Sequence, residues 1–336
     1  MKRIAILGGG SWGTALAIVL SRAHESHHIS LWVRDTALAH SIRSARENQA
    51  YLPGFKIPDE VGVTEDPQAA LENAEVILGA VPAAHARGVY RRLLPHVPEG
   101  APLISATKGL EPDTHARMSE VVSQVFQDAS RQVPRIAILS GPSFAAEVAA
   151  GQPTALVLAS SEMDLARDLQ ERLAAPNFRL YTNEDVLGVE LAGAMKNVIA
   201  IAAGVCEGIG LGSNPLAALI TRGLAEMSRL AAALGARPET LSGLAGLGDL
   251  VLTCTGALSR NRRVGVELGK GRSLADIQCG MKMVAEGIGT AGALLRLARE
   301  TATELPITQQ VEAIVHQGRP PREAIQSIME RPLKRE

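Results

Sequence analysis

The sequence predicts an α/β fold in which an N-terminal doubly wound sheet is followed by an all-helical C-terminal domain. Short, nearly continuous apolar runs alternate with longer helix-forming stretches through the first half of the chain. That is the pattern of parallel strands buried on both faces and joined by crossover helices. Three consecutive glycines stand directly after the first apolar run, where a strand must turn tightly into a helix. Beyond Val186 the texture becomes Ala/Leu/Gly-rich, with helical periodicity and no convincing strand. At ~150 residues per domain, 336 residues suggest two domains, here 1–187 and 188–336.

Taken in order, strands are expected at Arg3–Leu7, Ile29–Val33, Val76–Val81, Leu103–Ala106 and Ile136–Leu139. Stretches such as Thr14–Arg22 and Asp113–Gln127 supply the crossover helices. A strand at Thr154–Ala159, a helix at Asp164–Ala174 and a strand at Phe178–Thr182 extend the pattern to about residue 185. Helices then follow near 186–207, 214–234, 261–269, 273–279, 290–300, 306–316 and 321–329. The short Arg331–Glu336 segment is the one charged end.

Composition excludes several classes of function. Lys+Arg 34 against Asp+Glu 35 gives a net charge of -1, without the positive excess that dominates binding to nucleic acid phosphates. Four Phe, three Tyr and two Trp cannot build the aromatic rows that stack single-stranded bases. Cys206, Cys254 and Cys279 are odd in number and far apart, so neither a disulfide framework nor a metal site is indicated, and a reducing cytoplasm fits. The basic start followed by an apolar run resembles a signal peptide, but Gly8-Gly9-Gly10 interrupts it and favours a strand, a turn and a helix. The longest later apolar candidate, Leu191 to Ile209, contains Lys196 and Glu207, so a soluble protein with no membrane span is expected.

The glycine turn carries chemistry. Gly8-Gly9-Gly10-Ser11-Trp12-Gly13 matches G-x-G-x-x-G and opens into Thr14-Ala15-Leu16-Ala17, the strand–turn–helix context of a Rossmann-type dinucleotide site. Gly8 permits the tight turn, Gly10 lets backbone approach a pyrophosphate, and Gly13 allows helix and strand to pack closely. The helix N-terminus then presents its N–H groups to the phosphates. Arg34-Asp35 follows the second strand. An arginine there suits the 2′-phosphate of NADP(H), which is favoured, while the adjacent acid keeps NAD(H) open.

Isolated polar residues mark the second half. Lys196 is the sole charge between Leu191 and Cys206, with Asn197 beside it; a buried ammonium suits acid/base work, and a snorkelling side chain is the plainer alternative. Asp249 is the sole charge between Glu239 and Arg260. It could balance a lysine such as Lys196, or cap the following helix. Ser259-Arg260-Asn261 gathers a hydroxyl, a guanidinium and an amide at an expected helix start, equipment for a phosphate or else a solvated face. Lys108 and Gly141-Pro142-Ser143-Phe144-Ala145 each follow a strand, at the sheet edge where open α/β folds bind ligands.

Together these residues resemble the bacterial NAD(P)-dependent glycerol-3-phosphate dehydrogenases over nearly the whole chain. The motifs are the turn at 8–17, Ala106-Thr107-Lys108-Gly109-Leu110, Gly141 to Glu147, Lys196-Asn197, Gly246-Leu247-Gly248-Asp249-Leu250, Ser259-Arg260-Asn261 and Glu286-Gly287. The resemblance implies that Ser11, Trp12, Arg34, Lys108 and Ala145 contact the cofactor, with Arg260, Val284 and Glu286 closing over it. It implies that Lys108, Gly141, Ser143, Lys196, Asp249, Ser259, Arg260 and Asn261 hold the substrate, with Lys196 the proton donor and acceptor. Trp12 stands where family members often have Phe or Tyr, which keeps an aromatic ring there. The implied reaction is reduction of dihydroxyacetone phosphate to sn-glycerol 3-phosphate for phospholipid synthesis, in a cytoplasmic homodimer. Two rival readings are a β-hydroxyacid or sugar-acid dehydrogenase of related architecture, which would recognise a carboxylate, and a non-catalytic nucleotide sensor, which should lack its acid/base residue.

Overall fold

The computed structural model describes residues 2–281 and 284–332; the charged end Arg331–Glu336 lies outside them from residue 333. The chain divides into two compact units, Met1–Glu190 and Leu191–Glu336, the division falling within the helix Val186–Gly208.

The first unit carries strands β1 (Lys2–Leu7), β2 (His27–Trp32), β3 (Glu47–Asn48), β4 (Leu52–Lys56), β5 (Gly62–Thr64), β6 (Val76–Gly79), β7 (Leu103–Ser105), β8 (Ile136–Ser140), β9 (Thr154–Ala159) and β10 (Phe178–Asn183). Eight of them form one sheet in the order β10-β9-β8-β7-β6-β1-β2-β5, and β3 pairs with β4 in a separate hairpin. The side chains of β1 show why the runs read as continuous. Ile4 and Ile6 enter one core beneath the helix Ser11–Leu20, while Ala5 and Leu7 enter another with residues of the helices Ala83–Leu93 and Met118–Asp128. Both faces are covered, so no polar alternation survives.

Two expectations need correction. The sheet is mixed, because β9 runs antiparallel to β8, while β10 is parallel to β9. The link between β8 and β9 carries only the short helix Ala145–Ala149, and β9 then runs back along β8, Ile138 facing Ala159 and Ser140 facing Val157. The helix expected at 113–127 begins at Met118 instead. His115 holds φ 61, a left-handed conformation that helical backbone excludes, and Thr114 donates from its hydroxyl to Glu111 within that turn. The hairpin and β5 were not among the expected elements.

The second unit is helical, with no strand among its described residues. Pro238, Pro306 and Pro321 stand at the starts of their helices, where the missing N–H has no cost. By length and composition, the helix Val186–Gly208 is apolar enough to cross a membrane. Every residue from Leu191 to Cys206 is buried, which makes it the central core helix and explains its lack of a polar stripe.

Candidate active site

In the first unit the chain leaves β1 towards β2 and β5 on one side, then returns to place β6, β7 and β8 on the other. Open α/β sheets bind ligands at such a switch point, beyond the carboxyl ends of the strands. The glycine turn occupies it. Gly8 has φ +123, and a Cβ there would fall 2.5 Å from the Ala80 carbonyl oxygen of the loop after β6. A Cβ on Gly13 would fall 2.0 Å from the Gly8 oxygen, so helix and turn touch backbone to backbone. At Gly10 the Cβ position is open, with nothing within 4 Å. Gly10 also caps the helix Ser11–Leu20 without a side-chain hydrogen bond, which leaves the first N–H groups of that helix for an anion. An open backbone at an uncapped helix start fits a dinucleotide pyrophosphate. Ser11 and Trp12 lie half-buried on the first turn.

Arg34 and Asp35 are both exposed beyond β2, but their surroundings differ. The Asp35 carboxylate accepts the Leu38 N–H at 2.7 Å and caps the helix Thr36–Ala45. At the edge formed by β7 and β8, Lys108 Nζ donates to the Gly141 carbonyl at 2.7 Å, and Ser143 Oγ donates to the same oxygen at 3.0 Å. Gly141 holds φ +128, so a non-glycine residue would be strained there. Ala145 begins the short helix that follows. The sheet edge thus brings Lys108, Gly141 and Ser143 into one cluster.

In the second unit, Lys196 and Asp249 are 5% and 1% exposed, and Lys196 Nζ donates to Asp249 Oδ1 at 2.5 Å. Lys196 also donates to Thr253 Oγ1 at 2.8 Å, and that hydroxyl donates to the Asp249 backbone oxygen at 2.6 Å. The pairing settles two alternatives: the lysine does not reach for solvent, and Asp249 is the first residue of the helix Asp249–Thr255 rather than its cap. A single wide turn, Leu244–Gly248, delivers Asp249 to the lysine, with Gly248 N–H bonded to the Gly243 oxygen five residues back. Such π-type turns concentrate at functional sites. Gly246 is required inside it, since a Cβ there would lie 2.0 Å from the Leu241 oxygen. Burial pushes the neighbouring Cys254 thiol up to about 12, which keeps it neutral and unreactive beside the pair.

A second chain of amides adjoins the lysine. Asn261 Nδ2 donates to Asn197 Oδ1 at 2.8 Å, and Asn261 Oδ1 accepts the Gly287 N–H at 3.0 Å. Ser259 caps the helix Arg260–Gly269 by accepting the Arg262 N–H. Close backbone contact makes this geometry possible. A Cβ on Gly204 would fall 2.0 Å from the Arg262 oxygen, and one on Gly265 2.0 Å from the Ile201 oxygen. The helices Val186–Gly208 and Arg260–Gly269 therefore meet without side chains between them, and Asn261 reaches Asn197. Arg260 is exposed at the first position of the helix Arg260–Gly269; partial desolvation lowers its pKa, and the Glu286 carboxylate opposes that shift. Val284 is exposed, and Glu286 caps the helix Gly287–Glu300.

Sequence reasoning passed over Thr253, whose spacing of four residues from Asp249 on one helix face was the available signal. It also passed over Asn48, described below. No group of three or more His, Cys, Asp or Glu side chains able to hold a metal ion occurs among the described residues.

Comparisons with known proteins bear on both units. Residues 3–166 match the family of NAD-dependent glycerol-3-phosphate dehydrogenase N-termini, and residues 185–326 match the corresponding C-terminal family. The glycerol-3-phosphate dehydrogenase (NAD(P)+) of Koribacter versatilis is 54% identical over 333 residues, covering 99% of this chain and 98% of that protein. That of Acidobacterium capsulatum is 52% identical over 336 residues, covering 99% of each. The crystal structure of glycerol-3-phosphate dehydrogenase from Coxiella burnetii superposes with a TM-score of 0.91 at 42% identity, over 98% of this chain and 99% of that one. On matches that span both units, the chain belongs to the NAD-dependent glycerol-3-phosphate dehydrogenase family.

Proposed function

We propose that the chain reduces the C2 carbonyl of dihydroxyacetone phosphate to the alcohol of sn-glycerol 3-phosphate, reversibly, with NADP(H) preferred over NAD(H). The buried Lys196–Asp249–Thr253 cluster in a chain of this family carries the proposal. When bound, the reduced nicotinamide supplies a hydride to C2. Lys196 gives the proton that the C2 oxygen needs as negative charge develops there, and takes it back in the reverse direction. Asp249 and Thr253 fix the ammonium in place, so that no reorganisation is required at the moment of transfer. Arg260 and Asn261 take the phosphate, and binding energy from that non-reacting end aligns C2. Lys108, Gly141, Ser143 and Ser259 complete the substrate contacts.

Residues 1–187 bind the cofactor in this reading and residues 188–336 the substrate, with Arg260, Val284 and Glu286 adding to the cofactor contacts. Gly8, Gly10, Ser11, Trp12, Gly13, Arg34, Lys108 and Ala145 are the cofactor contacts of the first unit. The preference for NADP(H) is supported by the division of labour after β2, where Asp35 is spent on capping a helix while Arg34 stands exposed beside it. The family resemblance further supports a cytoplasmic homodimer feeding phospholipid synthesis, and a monomer in light scattering would remove the dimer.

The test is the loss of reduced-nicotinamide absorbance on adding dihydroxyacetone phosphate, run in parallel with NADPH and NADH. Oxidation that depends on the triose phosphate and is faster with NADPH is expected. A folded protein that binds NADPH and NADH but oxidises neither when dihydroxyacetone phosphate is added would overturn the reaction.

A further inference from the structure

We infer that Asn48 is a positioning residue for the cofactor turn, holding the dinucleotide-binding backbone through the separate hairpin of β3 and β4, which lies between β2 and β5 in chain order. Asn48 lies in β3, in a stretch of polar residues that gives no sign of burial, yet it is 0% exposed. Its side chain makes three hydrogen bonds. Nδ2 donates to the Gly9 carbonyl at 2.9 Å and to Thr14 Oγ1 at 2.8 Å, while Oδ1 accepts the Tyr51 N–H at 3.2 Å. An amide offers two donor hydrogens on one nitrogen and an acceptor on the other side, and all are used here.

The two donor bonds bracket the anion site. Gly9 precedes Gly10, whose open backbone faces the ligand side of the turn, and Thr14 ends the first helical turn. A carbonyl oxygen turned towards a diphosphate would repel it, and the Asn48 amide commits the Gly9 oxygen to the protein interior. The same amide ties that oxygen to the helix whose N-terminal N–H groups meet the phosphates. The hairpin is anchored in turn, because Leu52 of β4 is buried in the core that also takes Leu16 and Ile18. No other residue type supplies this set. Aspartate has no donor and would set a charge against the Gly9 oxygen, leucine has neither donor nor acceptor, and glutamine is longer by one methylene.

This inference rests on the cofactor reading above, and direct titration of the purified full chain with NADPH keeps the two apart. The parent must bind NADPH and turn over dihydroxyacetone phosphate; if it does neither, the functional reading fails, whatever Asn48 does. In Asn48→Ala and Asn48→Asp the dissociation constant for NADPH is expected to rise about tenfold or more, the aspartate being worse. The KM for dihydroxyacetone phosphate and kcat at saturating NADPH should stay within about threefold of the parent. A residue that merely stabilises the fold would lower the melting temperature and leave the dissociation constant of the folded fraction unchanged. That result would overturn the proposal, as would kcat and both KM values moving together. Should both variants fail to fold, Thr14→Val removes one of the two anchors and is expected to weaken NADPH about two- to fivefold; an unchanged constant there overturns it equally.

Discussion

Gly265→Ala should damage this protein, although helix propensity alone says that it should help. Alanine is favoured over glycine inside a helix by about 1 kcal/mol. The Cβ it adds would lie 2.0 Å from the Ile201 oxygen, 2.8 Å from Val205 N and 2.9 Å from Gly204 Cα, whereas real Cβ contacts stay beyond 3.0 Å. All three neighbours are backbone and none can rotate away, so the two helices must part by about 1 Å. Parting them costs about 1–3 kcal/mol in packing, and stretching the Asn261–Asn197 bond adds a comparable amount. Set against the propensity gain, the net loss is roughly 1–5 kcal/mol, a fall in melting temperature of roughly 2–20 °C. The same movement displaces Asn261 and Arg260 relative to Lys196, and a misplacement of about 1 Å can lower kcat/KM about a hundredfold. The control is Gly289→Ala, on a helix where nothing lies within 4 Å of the added carbon, and which should gain about 1 kcal/mol. Thermal melts and steady-state rates of the two variants decide the matter. A Gly265→Ala protein as stable and as active as the parent would refute the backbone-contact reasoning.

Further expectations follow from the same geometry. Asp249→Ala strands a buried ammonium and should cost about 3–5 kcal/mol in urea unfolding; a loss below about 1 kcal/mol would mean that the pair is not buried in solution. Arg34→Ala should reduce the preference for NADPH over NADH by about ten- to a hundredfold in kcat/KM, with NADH kinetics little changed. An unaltered ratio would assign the 2′-phosphate contact elsewhere. Glu226 accepts the Ile307 and Thr308 N–H groups at the start of the helix Pro306–Gln317. Burial outweighs those donors and pushes its carboxyl up to about 7. Because the folded value lies above the unfolded one, the neutral acid is the form that favours folding. Its stabilisation is complete below about pH 4.5 and lost as pH rises through about 7, a loss of roughly 3 kcal/mol at most. Glu226→Gln should flatten the melting profile between about pH 5 and 8, and a profile identical to that of the parent would place the titration elsewhere.

What the sequence makes legible is set by contrast with its surroundings. Lys196 and Asp249 stand out because each is alone in an apolar or glycine-rich stretch, where a charge cannot be left unpaired, and the fold joins them. The strands are legible for the opposite reason, since burial on both faces removes every polar interruption. Direction is another matter: Thr154–Ala159 is as apolar as the parallel strands, and nothing in its composition marks β9 as antiparallel to β8. Asn48 is invisible because Arg46, Glu47 and Gln49 surround it with residues equally at home in solvent; its burial comes from the tertiary position of a hairpin. The left-handed His115 that delays a helix is likewise a product of local hydrogen bonding that periodicity does not encode. Contacts such as Gly204 on Arg262 depend on two helices distant in sequence meeting at one level.

The most direct test of the central claim replaces Lys196 with methionine, which keeps the length and apolar stem of the side chain and removes the proton. Turnover of dihydroxyacetone phosphate by Lys196→Met should fall about 10²- to 10⁴-fold while the dissociation constant for NADPH stays at the parental value. A variant that binds NADPH normally and reduces the triose phosphate at the parental rate would contradict the role of Lys196 as the proton donor.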